Sequence, residues 1–210
     1  MNRKPDIPDE APQIDSPDFA WSRFYAPLAP KQVAALCRDV EAMLRINPYY
    51  VFRDWTASDG KHFHIVMDNS SNQQRLETDV ELLVDSEERI RIRYYEGIKK
   101  ATIFLIAPLA NGSIVTVVDD YGEPAATESD NEPKLADKSL PAWAGALNAY
   151  FQRIRRWSWL PGWRWYMRRV WMPMTPSARR VVWMLYLITL AEFGFFLFVL
   201  LIFVLETGTR

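Results

Sequence analysis

The chain has 210 residues, 49% of them hydrophobic and 14% aromatic, and its 25 Lys/Arg against 26 Asp/Glu leave a net charge of -1. Its single cysteine, Cys37, excludes an internal disulfide, and the apolar helical stretch around it marks a small core residue with no redox role. The near-zero total describes neither half: residues 1–137 hold 15 basic and 24 acidic side chains, residues 138–210 hold 10 and 2.

Residues 1–17 are polar, acidic and proline-bearing, too poor in apolar side chains to offset the entropy of ordering, so a disordered tail is expected there. They also lack the apolar stretch of a secretory signal. Phe19 to Tyr25 reads as a first strand. Ala29-Pro30 then opens one helical stretch, with Val33, Ala34, Leu36, Cys37, Val40, Met43 and Leu44 at three- and four-residue steps, and Asn47-Pro48 stops it.

The apolar period then changes to two for about seventy residues. Tyr49–Ala57, Lys61–Met67, Arg75–Val84, Arg89–Glu96, Lys100–Ala107 and Ser113–Tyr121 are expected strands, joined by short turns rich in Asp, Asn, Ser and Gly. Such spacing predicts sequential antiparallel hairpins. Leu76, Thr78, Val80, Leu82 and Val84 share one face of their strand, with Glu77, Asp79 and Glu81 on the other. If the next turn closes around Ser86, those acids lie across from Arg89, Arg91 and Arg93 as a charge ladder that sets register on the wet face.

Gly122 to Lys138 has no period and reads as a long surface loop. A helix follows, with Ser139 as its expected cap, Pro141 in its first turn, and Leu140, Trp143, Ala144, Leu147, Phe151 and Ile154 as its apolar stripe. A strand, a helical segment, six antiparallel strands and a long helix that must cover them make an α+β domain.

Beyond that helix, Trp157, Trp159, Trp163, Arg164, Trp165, Arg168, Arg169, Trp171, Arg179, Arg180 and Trp183 mix aromatic and basic side chains with no acid between Leu140 and Ala191. This is the composition of a membrane interface, where aromatic rings and snorkelling arginines meet headgroups. Nucleic acid is disfavoured because Val181 to Leu205 follows at once, an apolar run of roughly 36 Å as a helix, enough to cross a hydrocarbon core of about 30 Å. Thr175-Pro176 should start that helix, with the threonine as cap. The arginines on its N-terminal side predict a single-pass tail anchor in the inner (cytoplasmic) membrane, with everything before it in the cytoplasm. An acidic body on a basic stalk is expected to stand off anionic lipid. Glu192 lies near the middle of the run, where a charge costs about 3 kcal/mol, so a proton or a polar contact on another helix must neutralise it. Thr189 and Gly194 are the residues expected to help a partner helix approach.

The order of elements resembles the START-like superfamily, also called SRPBCC or polyketide-cyclase-like, over Asp18 to Arg156. The matching pieces are Ala26-Pro-Leu-Ala-Pro30, a helix end Leu44-Arg-Ile-Asn-Pro48, an aromatic strand with Trp55, the strand pair Ala101–Pro108 and Ser113–Tyr121 about Asn111-Gly112, and the long helix. The resemblance implies a curved sheet gripping the last helix, with a cavity between them for an apolar molecule such as a sterol, lipid, quinone, isoprenoid or polyketide. It would place Tyr50, Phe52, Leu76, Val80, Tyr94, Phe104, Trp143 and Leu147 around the cavity, and it carries over no catalytic residue and no cofactor. The chain then divides into a tail (1–17), a START-like domain (18–156), a basic aromatic interfacial segment (157–175), a transmembrane helix (176–206) and a short tail (207–210).

Residue chemistry alone indicates no enzyme. His62 and His64 share one face of a strand, roughly 7 Å apart, but Phe63, Ile65 and Met67 claim the other face and turn them to solvent, and no further ligands stand at metal spacing. Nucleophile and phosphate-loop motifs are missing. Three functions are therefore weighed. The first is a membrane-tethered carrier of an apolar ligand, the second an accessory subunit of a membrane complex docking by its spanning helix, and the third a cyclase-type enzyme using cavity groups such as Tyr50, Arg53 or Asp120.

Overall fold

The computed structural model describes residues 10–122 and 138–208. Their elements in chain order are β1 (Asp18–Ala26), α1 (Pro30–Cys37), α2 (Val40–Arg45), β2 (Tyr50–Ala57), β3 (His62–Asn69), β4 (Gln74–Val84), β5 (Arg89–Tyr94), β6 (Ala101–Leu109), β7 (Gly112–Gly122), α3 (Leu140–Trp157), α4 (Trp163–Tyr166), a π-helical turn (Met167–Trp171) and α5 (Pro176–Gly208). The period-two runs become seven antiparallel strands in the order β1-β7-β6-β5-β4-β3-β2. All but one neighbouring pair are consecutive in sequence, as short turns require. The exception brings β1 back beside β7, in register from Phe19 opposite Asp120 to Ala26 opposite Ser113.

The stripe on α3 packs on one face of this sheet. Leu140, Trp143, Ala144, Leu147 and Phe151 are buried, and Ile154 packs partly against the same core. Trp143 fixes the register of the helix: its Nε1 donates to the Met43 carbonyl of α2 at 2.9 Å, and its ring stands edge-on to Phe104, centroids 6.0 Å apart. Phe151 meets Phe24 of β1 at 5.9 Å. The opposite face carries a smaller cluster of Ala101, Ile103 and Val118, against which Phe19, Trp21 and Ile14 pack.

Several local expectations change. The single helix expected from Ala29 to Asn47 is two. Arg38 ends α1, and Asp39 turns the chain and accepts the Ala42 N–H at 3.3 Å, capping α2; an aspartate offering this bond competes with helix continuation although the apolar period runs on. Ser139 does not cap α3 with its hydroxyl, which instead accepts from Asn47 Nδ2 at 2.9 Å in a buried contact. The charge ladder is displaced as well. Glu81 opposes Arg93, but Leu83 opposes Arg91, and Asp85 in the turn takes both Arg91 (2.9 Å) and Arg89 (3.4 Å). Glu77 and Asp79 lie beyond the β5 partners and face β3, where Asp79 opposes His64. The turn is longer than supposed, and every added residue shifts the pairing.

The first nine residues of the expected tail and residues 123–137 of the expected loop lie outside the described residues. Just before β1, Ser16 donates to Asp120 at 2.6 Å and Arg23 donates to the Glu10 carbonyl at 3.0 Å, which ties this segment to the sheet.

The chain forms two compact units, Met1–Pro173 and Met174–Arg210. The aromatic stretch after α3 belongs to the first, since Met167 and Met172 are buried and Arg168 pairs with Asp39 at 3.1 Å. The second unit is α5, begun by Thr175, whose hydroxyl accepts the Ala178 N–H at 3.3 Å. Ser177–Thr207 is long and apolar enough to span a membrane.

Candidate functional site: a cavity at the sheet end

A cavity of about 320 Å³ opens where the β3–β4 turn faces the β5–β6 connection. Met67, Leu76 and Ile98 give it an apolar side; Tyr50, Tyr94 and Lys99 bring polar atoms to its wall. Gly97, in the connection, has φ +97°, and a Cβ there would stand 2.8 Å from Leu76 Cδ1, so a side chain at this point would be strained and would crowd the wall.

Behind the wall lies a buried polar network. Lys99 is 7% exposed, and its ammonium lies 2.7 Å from Asp119 Oδ2, with Asp119 fully buried. The same ammonium donates to the Tyr50 hydroxyl at 2.9 Å and lies 5.6 and 5.7 Å from the rings of Tyr50 and Trp143. Thr102 donates to the other Asp119 oxygen at 2.6 Å, and the Tyr94 and Thr102 hydroxyls lie 3.3 Å apart. Four strands and one turn thus converge on a single ion pair. Burying each ion alone would cost several kcal/mol, so this pairing and its hydrogen bonds are what permit the charges inside.

Of the eight residues expected around a cavity, Tyr50, Leu76 and Tyr94 line it. Val80, Phe104, Trp143 and Leu147 are buried in the core between α3 and the sheet, and Phe52 packs partly against it. Lys99 and Asp119 were missed. Asp119 continues the inward face of Val115 and Val117 by period two, a signal of a buried carboxylate that was available in the sequence. Asp120, considered instead, points the other way and accepts from Ser16 and from the Gly122 N–H. Arg53 sits at the β2 bulge, exposed and paired with Asp68 at 2.8 Å.

His62 and His64 lie on the opposite face of β3. His62 Nδ1 contacts Asp59 at 2.9 Å, and His64 Nδ1 contacts Asp79 at 2.9 Å with Glu77 at 3.8 Å. Asp79 holds the His64 imidazolium, raising its pKa above the ordinary histidine value. The bond from His62, with backbone N–H groups of Lys61 and His62, lowers the Asp59 carboxyl to about 2. Among the described residues no group of three or more such side chains could hold a metal ion. Burial raises the Cys37 thiol well above its usual range, which keeps it unreactive.

In the basic aromatic segment, Trp159 and Trp165 are 73% and 66% exposed. Trp157 meets Trp163, and Trp163 meets Tyr166, as tilted ring pairs with centroids 5.9 and 6.3 Å apart, and Arg156 covers Trp157 at 5.6 Å. Arg169 and Arg180 are exposed, Arg179 and Trp171 are half-buried, and the side chain of Arg164 lies outside the described part. Along α5, Thr189, Glu192 and Gly194 are all exposed. At about 100° per residue Thr189 and Glu192 share a face, but Gly194 lies about 200° round from Glu192 and cannot serve the same contact.

No family model and no curated protein matches the chain. Solved structures do match its fold. A START superfamily protein from Mycobacterium smegmatis shares 18% identity at a TM-score of 0.50, covering 65% of this chain and 98% of its own. A protein from Thermus thermophilus shares 18% at 0.51, covering 67% and 99%. The seven-stranded antiparallel sheet with its long C-terminal helix is the START-like, helix-grip fold.

Proposed function

We propose that the protein binds a small, largely apolar molecule drawn from a bilayer, such as a lipid, quinone or isoprenoid, while α5 tethers it to the cytoplasmic membrane with the folded unit in the cytoplasm. The observation that carries this reading is the cavity of about 320 Å³ in a helix-grip fold, within the size range of small-molecule sites, about 300–1,000 Å³. The tether is supported by the apolar length of α5, by the cluster of arginines on its N-terminal side against one, Arg210, after it, and by exposed tryptophans just before it in sequence. The test is native mass spectrometry of the full chain released from nanodiscs, scoring bound small molecules and bound polypeptides together. A co-released apolar molecule supports the reading. Repeated release of an empty chain, or loss of the protein from vesicles in a carbonate wash, overturns it.

A second reading is favoured by Glu192 alone. A carboxyl side chain at mid-span, sharing a helix face with Thr189, suits a polar contact with another subunit's helix, and the protein would then be an accessory subunit of a membrane complex. Glu192→Leu should leave membrane insertion intact and weaken co-purification of that subunit in mild detergent; unchanged co-purification removes this reading.

A further inference from the structure

The charge pattern of the cavity wall narrows the class of ligand. Lys99 lines it together with Asn69, Asn72 and Gln74, Arg75 borders it from the exposed face of β4, and among the described residues no aspartate or glutamate lines it. The carboxylate of Asp119 stands behind the wall, fully buried, and holds the Lys99 ammonium from the rear at 2.7 Å while Tyr50 accepts from it at 2.9 Å. As a stabilising device the pair is a poor choice, because well-packed apolar residues of the same volume would serve the fold as well or better. Its consequence is positional: an ammonium fixed at one wall of a recess whose other wall is the apolar side made by Met67, Leu76 and Ile98.

We infer that the cavity takes an amphiphile with a carboxylate head, the head meeting Lys99 and Tyr50 and the tail lying on Met67, Leu76 and Ile98. Charge-assisted hydrogen bonds to a carboxylate are about twice as strong as neutral ones, and a partly dry wall strengthens them further. Asp119 is then a positioning residue for the ammonium. This inference rests on the reading of the cavity as a ligand site, and its test separates the two.

The probes are octanoate and octanol, titrated calorimetrically into the full chain in nanodiscs, with protein-free nanodiscs as blank. Octanoate should bind at least tenfold more tightly than octanol. Lys99→Met combined with Asp119→Asn removes both charges without stranding either and leaves an amide for Thr102, and in it the preference should vanish. Equal binding of the two probes by the wild type, or a preference that survives in the double variant, overturns the carboxylate assignment and leaves the ligand-site reading standing. Binding of neither probe, together with an empty chain in native mass spectrometry, overturns both. The wild-type comparison decides the matter even if the variant fails to fold.

Discussion

Beneath the middle of α3 the helix and the sheet meet as a solid; at the strand ends beside Lys99 the same sheet is hollow. Trp143, Phe104, Leu147 and Phe151 are buried without exposed surface, and the rings of Trp143 and Phe104 meet edge to face. Some residues along, the Tyr50 hydroxyl meets the Lys99–Asp119 pair directly and that of Tyr94 reaches it through Thr102, and Gly97 withdraws a side chain where the wall would otherwise close. In the solid region each side chain answers to volume. At the hollow end each answers to hydrogen-bond partners, and the space left over is the cavity.

Replacements in the two regions should therefore fail differently. The largest loss is expected for Trp143→Ala, which removes the biggest fully buried side chain and its bond to the Met43 carbonyl. Chemical denaturation should show about 3–5 kcal/mol less stability, a large share of the about 5–15 kcal/mol that holds a folded domain together. Lys99→Met comes close behind, at about 3–5 kcal/mol, because it strands Asp119 without its counter-ion. The double replacement Lys99→Met with Asp119→Leu should recover most of that loss, a recovery that no single repair of Trp143→Ala would match. If the double variant is as unstable as Lys99→Met, the hollow end is held by packing after all.

Gly97→Leu should act the opposite way, with the smaller cost in stability and the larger cost in binding. A left-handed backbone at φ +97° penalises an L side chain by about 1–2 kcal/mol, and the new side chain would enter the space beside Leu76. Octanoate titration should show at least a tenfold loss, with a denaturation midpoint closer to wild type than that of Trp143→Ala. Wild-type affinity in Gly97→Leu would place the ligand somewhere else.

The solid region was the legible one. Trp143, Leu147 and Phe151 recur at helical steps, and Val80, Ile90 and Phe104 obey period two, so the layers and their inner faces follow from the chain itself. The hollow end was not, because its character depends on a meeting of residues far apart in sequence. Lys99 sits in a glycine turn that reads as exposed, and only Asp119, twenty residues on, makes its burial tolerable. The break at Asp39 escaped for a similar reason: the apolar period continues through it, and a single capping carboxylate outweighs the pattern. The offset of Asp85 against Arg89 and Arg91 turns on the length of one loop, which hydrophobic alternation does not report.

The smallest effect is expected on the outer side of the hairpin whose inner side walls the cavity. His64 stands at the solvent face of β3, with Asp79 at 2.9 Å and Glu77 at 3.8 Å on β4 and Asp54 acting from β2. The hydrogen bond that His64 donates to Asp79 raises its pKa in the folded state, so the folded protein holds the proton more tightly than the unfolded chain does. The contribution is complete below the ordinary histidine value of about 6.5 and disappears as pH climbs through the raised value. Wild type should thus exceed His64→Gln in stability at pH 6 and converge with it by alkaline pH, by an amount that salt reduces because the pair is solvated. Octanoate affinity, read across the same range, should not follow this curve, since the Lys99–Asp119 pair is buried on the inner side of the sheet. A binding curve that tracked the histidine would mean that the two faces of this hairpin are coupled, and that the hollow end is less independent of its surroundings than its residues imply.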